Sequence, residues 1–200
     1  MKISTAAAAA LLLAGGIALA GCAPTGSGGS MPGMDHSASD APASESSASD
    51  ANDADAMFAT MMIVHHEQAV EMSDLVLGEE GVDPRVIDLA ERIKAAQSPE
   101  IEQLRGWLDD WGVSAESGGQ MDHGDGMMTA DDLAALEDAT GAEASRLFLE
   151  QMIVHHEGAI DMAESQLANG QNPDAVALAQ SIVDAQGAEI AEMKELLSTL

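Results

Sequence analysis

The chain has 200 residues and a formal net charge of −28, from 35 acidic and 7 basic side chains. Such a surface repels nucleic acid and anionic lipid, so the charge argues against binding to either. It would attract inorganic cations, and solubility alone is the other explanation of the charge. One cysteine excludes an intramolecular disulfide and a Cys-x-x-Cys metal site, and an aromatic content of 2% favours helices over a β-sandwich.

The N-terminus has the pattern of an exported lipoprotein. Met1-Lys2 precedes an apolar run over residues 6–20, which leads into Gly21-Cys22. A run of ~15 apolar residues is too short to span a bilayer comfortably, and small residues before a cysteine are typical of a lipoprotein signal peptide. We predict a signal peptide over 1–21 and lipidation at Cys22, which would anchor the protein to an extracytoplasmic membrane surface. An ordinary signal peptide with an incidental cysteine is the alternative.

Residues 22–53 are rich in Gly, Ser, Ala, Pro and Asp and hold almost no large apolar side chain. Such a segment cannot bury enough surface to fold, so we predict a disordered acidic tether. Met31, Met34 and His36 interrupt it.

The first predicted helix begins at Asp53 or Asp55 as its cap and ends at Gly78. Its core stripe follows steps of four and three residues, namely Phe58, Met62, His65, Ala69, Met72 and Val76. A second helix is predicted from Pro84 to Trp111, and polar Gln97 and Glu100 fall within its apolar stripe.

Residues 112–128 are Gly-rich and polar, which predicts a loop; it contains Met121, His123, Met127 and Met128. Thr129 is the expected cap of a short helix that ends near Asp138. Thr140 and Glu143 match a capping box at the start of the third long helix.

The third and fourth long helices repeat the first two. The stripe Phe148, Met152, His155, Ala159 and Met162 lies 90 residues after its counterpart, and Gln186 and Glu189 occupy the places of Gln97 and Glu100. A single two-helix hairpin buries too little surface to be stable. We therefore predict an all-α domain over 54–200, in which hairpins at about 54–111 and 140–199 pack as a four-helix bundle.

The duplicated Met-x-x-His-His motif is the main functional signal. Neighbouring helical residues differ by about 100° in direction, so we expect His65 and His155 to face the core and His66 and His156 to lie toward its edge. Residue numbering along each hairpin places the inward histidines opposite polar residues that would be hydrogen-bonding partners or further ligands: Gln97, Glu100, Gln186 and Glu189.

The ligand types favour a soft metal. Bundles that bind di-iron use Glu-x-x-His, whereas Met62 and Met152 stand where that Glu would be, and thioethers prefer Cu(I) and Ag(I). The predicted ligands are Met62, His65, His66, Met72, Met152, His155, His156 and Met162. Weaker candidates are Met61, Glu100 and Glu189, and possible auxiliary sites are Met31, Met34, His36, Met121, His123, Met127 and Met128.

Methionines can also fill core gaps, and buried histidines can be satisfied by Gln or Glu without a metal. However, all six histidines have a methionine within four residues, including His36 and His123 in segments with no core. This pattern favours metal binding.

The sequences Phe58 to Met72 and Phe148 to Met162, with Met128-Thr-Ala-Asp-Asp and the two Ala-Gln-x-x-Glu-Ile segments, resemble the bacterial domain-of-unknown-function family 305 over about residues 55–200. The resemblance implies a ferritin-like fold, frequent export, and copper binding through Met and His, since the family includes a copper-tolerance protein that binds Cu(I) and Ag(I).

Three hypotheses follow. The first is a lipid-anchored, non-enzymatic protein that sequesters Cu(I) or delivers it to a copper-transfer partner. The second is a ferritin-like oxidoreductase that uses iron, manganese or copper, against which stands the scarcity of inward carboxylates. The third is a metal-free structural bundle.

Overall fold

The computed structural model describes residues 51–114 and 126–200, which form five helices. They are α1 Asp53–Gly78, α2 Pro84–Trp111, α3 Ala130–Asp138, α4 Gly141–Asn169 and α5 Pro173–Leu197. No strand occurs in these two ranges, which confirms the all-α prediction. Over the same ranges, no helix combines the length and the apolar character that a membrane crossing requires. Cys22 and the predicted tether up to residue 50 lie outside the described residues.

The two repeats pack as antiparallel hairpins. Helix α1 packs on α2, α4 packs on α5, and the hairpins meet through α1 and α4. The start of α1 contacts the end of α4, where the Gln166 amide donates to Asp55 at 2.5 Å, and the backbone N–H of Gly141 donates to Glu80 beyond the end of α1 at 3.2 Å. Helices α1 and α4 are therefore antiparallel, and an approximate two-fold axis relates the two hairpins. The short α3 lies against α1 and α4.

The core consists of two apolar clusters, with the motif histidines between them along α1 and α4. One cluster contains Phe58 and Met62 from α1 and Ala159 from α4, and the other contains Met72 and Met152. The whole predicted stripe of α1 is buried, with its apolar members at most 5% exposed and His65 at 1%. By contrast, Met162 on the α4 stripe and Trp107 of α2 are only half-buried.

Two predicted helix caps differ from the structure. The cap of α1 is Asn52, not Asp53 or Asp55; its side chain accepts from the Asp55 backbone N–H while the Asp55 carboxylate accepts from the Asn52 N–H. Thr140 precedes α4, but its side chain makes no capping hydrogen bond, so the predicted box with Glu143 is wrong. The contact of Gly141 with Glu80 positions this helix start instead. Thr129 caps α3 as expected, with Asp132 completing the box.

Asp55 joins the two hairpins at one end of the bundle. Its buried carboxylate accepts from the side chain of Gln166 and from the backbone N–H groups of Gln171 and Asn172, in the turn before α5. Burial alone would raise the pKa of Asp55. The hydrogen bonds from Asn52, Gln166, Asn172 and Gln171 lower it by more, so the pKa lies below the usual 3.8. The ionised carboxylate therefore stabilises the folded state.

We expect Asp55→Ala to lower the free energy of unfolding by about 2–4 kcal/mol at pH 7, because buried N–H donors lose their acceptor. The folded-state pKa lies below the unfolded one, so this contribution is complete above pH 3.8 and is lost as the pH falls through the folded value. Urea unfolding from pH 7 to pH 3 measures both effects. Asp53→Asn, at an exposed position in the same helical turn, is the control. Equal stability of Asp55→Ala and wild type would contradict this role.

Candidate metal centre

His65 and His155 meet at the centre of the bundle. Their ring centroids are 3.7 Å apart and the ring planes are inclined by 40°. His65 is 1% exposed and His155 is fully buried. The two copies of the motif therefore converge into one layer, which we call the histidine layer: His65, His66, His155 and His156.

The central histidines are neutral. Burial lowers the pKa of His65 from 6.5 to about 3, and the nearby charges of His66 and His156 contribute. Burial likewise lowers the pKa of His155 well below 6.5; the charges of His65, His156 and His66 lower it further, and an interaction with the His65 backbone opposes these effects in part. A neutral imidazole retains a free ring lone pair, which is the form that coordinates metal ions.

Both ring nitrogens of His65 and of His155 lack a hydrogen-bond partner within residues 51–114 and 126–200. A buried polar group without a partner costs about 1–3 kcal/mol. Such a cost at the centre of a well-packed core requires an explanation, and an ion held by the lone pairs is one that fits the chemistry.

His66 and His156 contact the carboxylates, contrary to prediction. His66 Nε2 lies 2.8 Å from Glu100 Oε2, and His156 Nε2 lies 2.8 Å from Glu189 Oε2. We expected these carboxylates to meet the inward histidines and the second histidine of each pair to lie at an edge. Both expectations were wrong: His66 and His156 are fully buried, because α2 and α5 cover the sides of α1 and α4 on which they lie.

The carboxylate contact selects one tautomer of each flanking histidine. A carboxylate accepts a hydrogen bond, so Nε2 carries a proton, and in the neutral form of the ring Nδ1 then keeps its lone pair. The Nδ1 atoms of His66 and His156 are buried and have no partner in the described part of the chain. The carboxylates thus orient the second imidazole of each repeat and leave its Nδ1 without a partner there.

Gln97 and Gln186 are buried, at 3% and 4% exposure, as expected for the polar positions on α2 and α5. Their side-chain oxygens have no hydrogen-bond partner among the described residues, and the ring nitrogens of His65 and His155 have none there either. The predicted bonds between these amides and the inward histidines are therefore absent.

Met62 and Met152 lie fully buried on opposite sides of the histidine layer. Met62 belongs to the cluster around Phe58, whereas Met152 belongs to the cluster around Met72, which is also fully buried. Each thioether is one helical turn before the inward histidine of its own helix. The donors in this region are uncharged imidazoles and thioethers, which suit a soft ion. In the described ranges there is no metal-binding group built from three or more His, Cys, Asp or Glu side chains.

Met61 and Met162 are half-buried and lie in a groove beside the layer rather than in its centre. The same groove contains Met57, which the sequence analysis missed. The spacing of four residues between Met57 and Met61 was a visible signal, since it places both on one helical face.

The auxiliary candidates are only partly described. Met31, Met34, His36, Met121 and His123 lie outside the described residues. The backbone of Met128 is bound by the side-chain amide of Gln68 at 2.7 and 2.9 Å, and its side chain packs on the cluster around Met72. Gly126 has a φ of +103° and packs so closely on Gly158 that a Cβ would lie 2.9 Å from its Cα. The loop that carries Met127 and Met128 therefore returns against both copies of the motif.

The comparisons with known proteins agree on one family. The model of the domain-of-unknown-function family DUF305 matches residues 55–197. A DUF305 protein from Streptomyces coelicolor assigned as secreted is 33% identical, with a TM-score of 0.68 over 73% of this chain and 93% of that one. A DUF305 fragment from Deinococcus radiodurans is 29% identical, with a TM-score of 0.66 over 75% and 99%. No curated protein sequence matches this chain significantly.

CopM in its Cu(I)-bound form is 31% identical, with a TM-score of 0.60 over 72% of this chain and 96% of that one. Structures of CopM with Cu(II), with silver and without metal are similar to this chain as well.

We expect the double variant His65→Leu/His155→Leu to be more stable than wild type without metal, because it removes unpartnered polar rings from the core at similar volume. The folded-state pKa of His65 is about 3 against 6.5 when unfolded, so acid destabilises wild type as the pH falls from 6.5 toward 3. Thermal unfolding of the metal-free proteins at pH 7 and pH 5 measures this. Between pH 7 and pH 5 the double variant should lose less stability than wild type. A double variant less stable than wild type at pH 7 would instead show that the two histidines stabilise the fold.

Proposed function

Because the chain belongs to the DUF305 family, we propose that it is an exported, lipid-anchored protein that binds Cu(I), and also Ag(I), through the histidine layer and its flanking methionines. The observation that carries this proposal is the contact of two neutral, buried imidazoles with unpartnered nitrogens, one from each repeat. The crystal structures of CopM with Cu(I) and silver, on a similar fold, support it.

The chemistry of the site favours Cu(I) over Cu(II). The imidazole and thioether ligands are uncharged, so they do not themselves neutralise a buried ion, and the Glu100 and Glu189 carboxylates contact His66 and His156 instead. The cost of moving an ion into a medium of low dielectric constant rises steeply with its charge, which favours a monovalent ion. Thioethers also prefer soft ions. We therefore infer that copper is carried as Cu(I), with Met62, His65, Met152 and His155 as its principal ligands.

Binding without catalysis fits the site better than di-iron or di-manganese chemistry. Sites of that kind use Glu side chains from several helices to bind the metals directly. Here Glu100 and Glu189 each contact a histidine ring through one oxygen, which orients that ring. We infer that the protein sequesters copper or hands it to a copper-transfer partner.

An extracytoplasmic location is consistent with this role. The lipoprotein signal and Cys22 support export and anchoring, and the Streptomyces coelicolor relative is assigned as secreted. The net charge of −28 raises the local concentration of cations near the protein.

We expect the variant Met62→Leu/His65→Leu/Met152→Leu/His155→Leu to lose Cu(I) binding at the histidine layer, because every principal donor is removed at similar volume. Anaerobic titration against a chromophoric Cu(I) chelator gives the bound equivalents, and the rise in melting temperature with Ag(I) gives a second readout. Met193→Leu, a buried core substitution in α5, is the matched control. Full copper retention by the quadruple variant would refute the site, and a wild-type melting temperature unchanged by either ion would favour a metal-free bundle.

Glu100→Gln and Glu189→Gln should each weaken Cu(I) binding by about 10–100-fold, because an amide no longer imposes a single tautomer on His66 or His156. Chelator competition measures the change. Glu102→Gln is the control, since Glu102 lies in the same helix as Glu100 and pairs with the exposed Arg105. Affinities equal to those of the control would show that the carboxylates have no orienting role.

A further inference from the structure

The two-fold relation between the repeats produces two equivalent faces between α1 and α4, and α3 covers one of them. Leu136 of α3 is fully buried in the cluster that contains Met72 and Phe148. The Gln151 amide donates to the backbone carbonyl of Asp132 near the start of α3, at 2.9 Å. This face is closed by the chain itself.

The other face is a groove of about 570 Å³ at the start of α1 and the end of α4. Every residue that lines it belongs to α1 or α4, and Met57 among them is 51% exposed. Its lining includes Asp53, Met57, Met61, Gly158, Asp161 and Met162.

The two faces differ in their sulfur content. Met162 in the groove corresponds to Met72 on the covered face, 90 positions earlier. Met57 and Met61, however, correspond to Leu147 and Gln151. Thioethers therefore replace one aliphatic and one amide side chain on the face that α3 leaves uncovered.

We propose that Met57, Met61 and Met162 form a second metal site, made of thioethers alone, that captures a soft monovalent ion at the protein surface. This inference rests on the proposed function, because the histidine layer would be the destination of the same ion. Three neutral thioethers bind Cu(I) or Ag(I) but compete poorly with water for hard cations such as Ca²⁺ and Mg²⁺.

Charge and flexibility suit the groove to this task. Asp53 and Asp161 are exposed lining residues, and their carboxylates raise the local concentration of cations. The groove is larger than one ion, but methionine has three rotatable side-chain bonds, which allow its sulfur atoms to close on a small ligand.

The groove extends toward the histidine layer. Met61 is four residues before His65, and Gly158 in the groove lining is three residues after His155. In a helix these separations are about one turn. An ion held in the groove would thus be close to both central histidines along their own helices.

The test uses the full chain with ¹³C-methyl-labelled methionine, titrated anaerobically with Ag(I) and followed by NMR. Met→Leu substitutions assign the methyl signals. We expect the signals of Met57, Met61 and Met162 to shift with Ag(I), and to shift also in His65→Leu/His155→Leu, in which the central imidazoles are absent. Ca²⁺ should leave them unchanged. The triple variant Met57→Leu/Met61→Leu/Met162→Leu should bind one Ag(I) fewer than Met193→Leu.

The outcomes separate the two proposals. Shifts at Met62 and Met152 without shifts at the groove methionines would overturn the groove site and leave the proposed function standing. Shifts at the groove methionines alone would support the groove site and contradict binding at the layer. Equal silver content in the triple variant and in Met193→Leu, or groove shifts produced by Ca²⁺, would overturn the groove site.

Discussion

The contact between His65 and His155 is the constraint on which the rest of the structure depends. It lies where the two hairpins meet, so each repeat completes the polar centre of the other. Both rings are uncharged, because a buried imidazolium beside a second imidazole would be strongly unfavourable. The ring nitrogens of His65 and His155 have no hydrogen-bond partner in the described part of the chain, which costs free energy that an apolar layer would not. The surrounding fold must therefore supply the stability that the centre lacks.

That stability comes from the apolar clusters on either side and from the two ends of the bundle. At one end Asp55 accepts hydrogen bonds from the turn between α4 and α5. At the other, the Ser145 hydroxyl accepts from the backbone N–H of Asp83, in the turn between α1 and α2. Asp55 and Ser145 are 90 positions apart, so they occupy equivalent positions in the two repeats. Each holds one end of the bundle together. Rigid ends allow an energetically costly centre to persist, as is common at functional sites.

Periodicity and repetition predict most of the fold, including four long helices, the buried stripe of α1 and the pairing of hairpins. They could not predict which histidine of each pair meets a carboxylate. Adjacent helical residues differ by about 100°, so a modest rotation of α2 about its own axis decides whether Glu100 faces His65 or His66. Sequence numbering gives height along a helix but not that rotation. The methionine groove was missed for a related reason, since it combines residues from the start of α1 and the end of α4.

Comparison of the repeats separates two kinds of position. The donors around the two-fold axis are the same in both copies, namely Met, His and His, with a carboxylate behind the second histidine. One symmetric centre requires equal contributions from both halves. Away from the axis the copies differ: Gln68 binds the backbone of Met128, whereas its counterpart Gly158 leaves room for Gly126. Because α3 lies over only one of the two equivalent faces, the side chains of the other face need not match those of the first. The clearest difference is at Met57 and Met61, which correspond to Leu147 and Gln151 on the covered face.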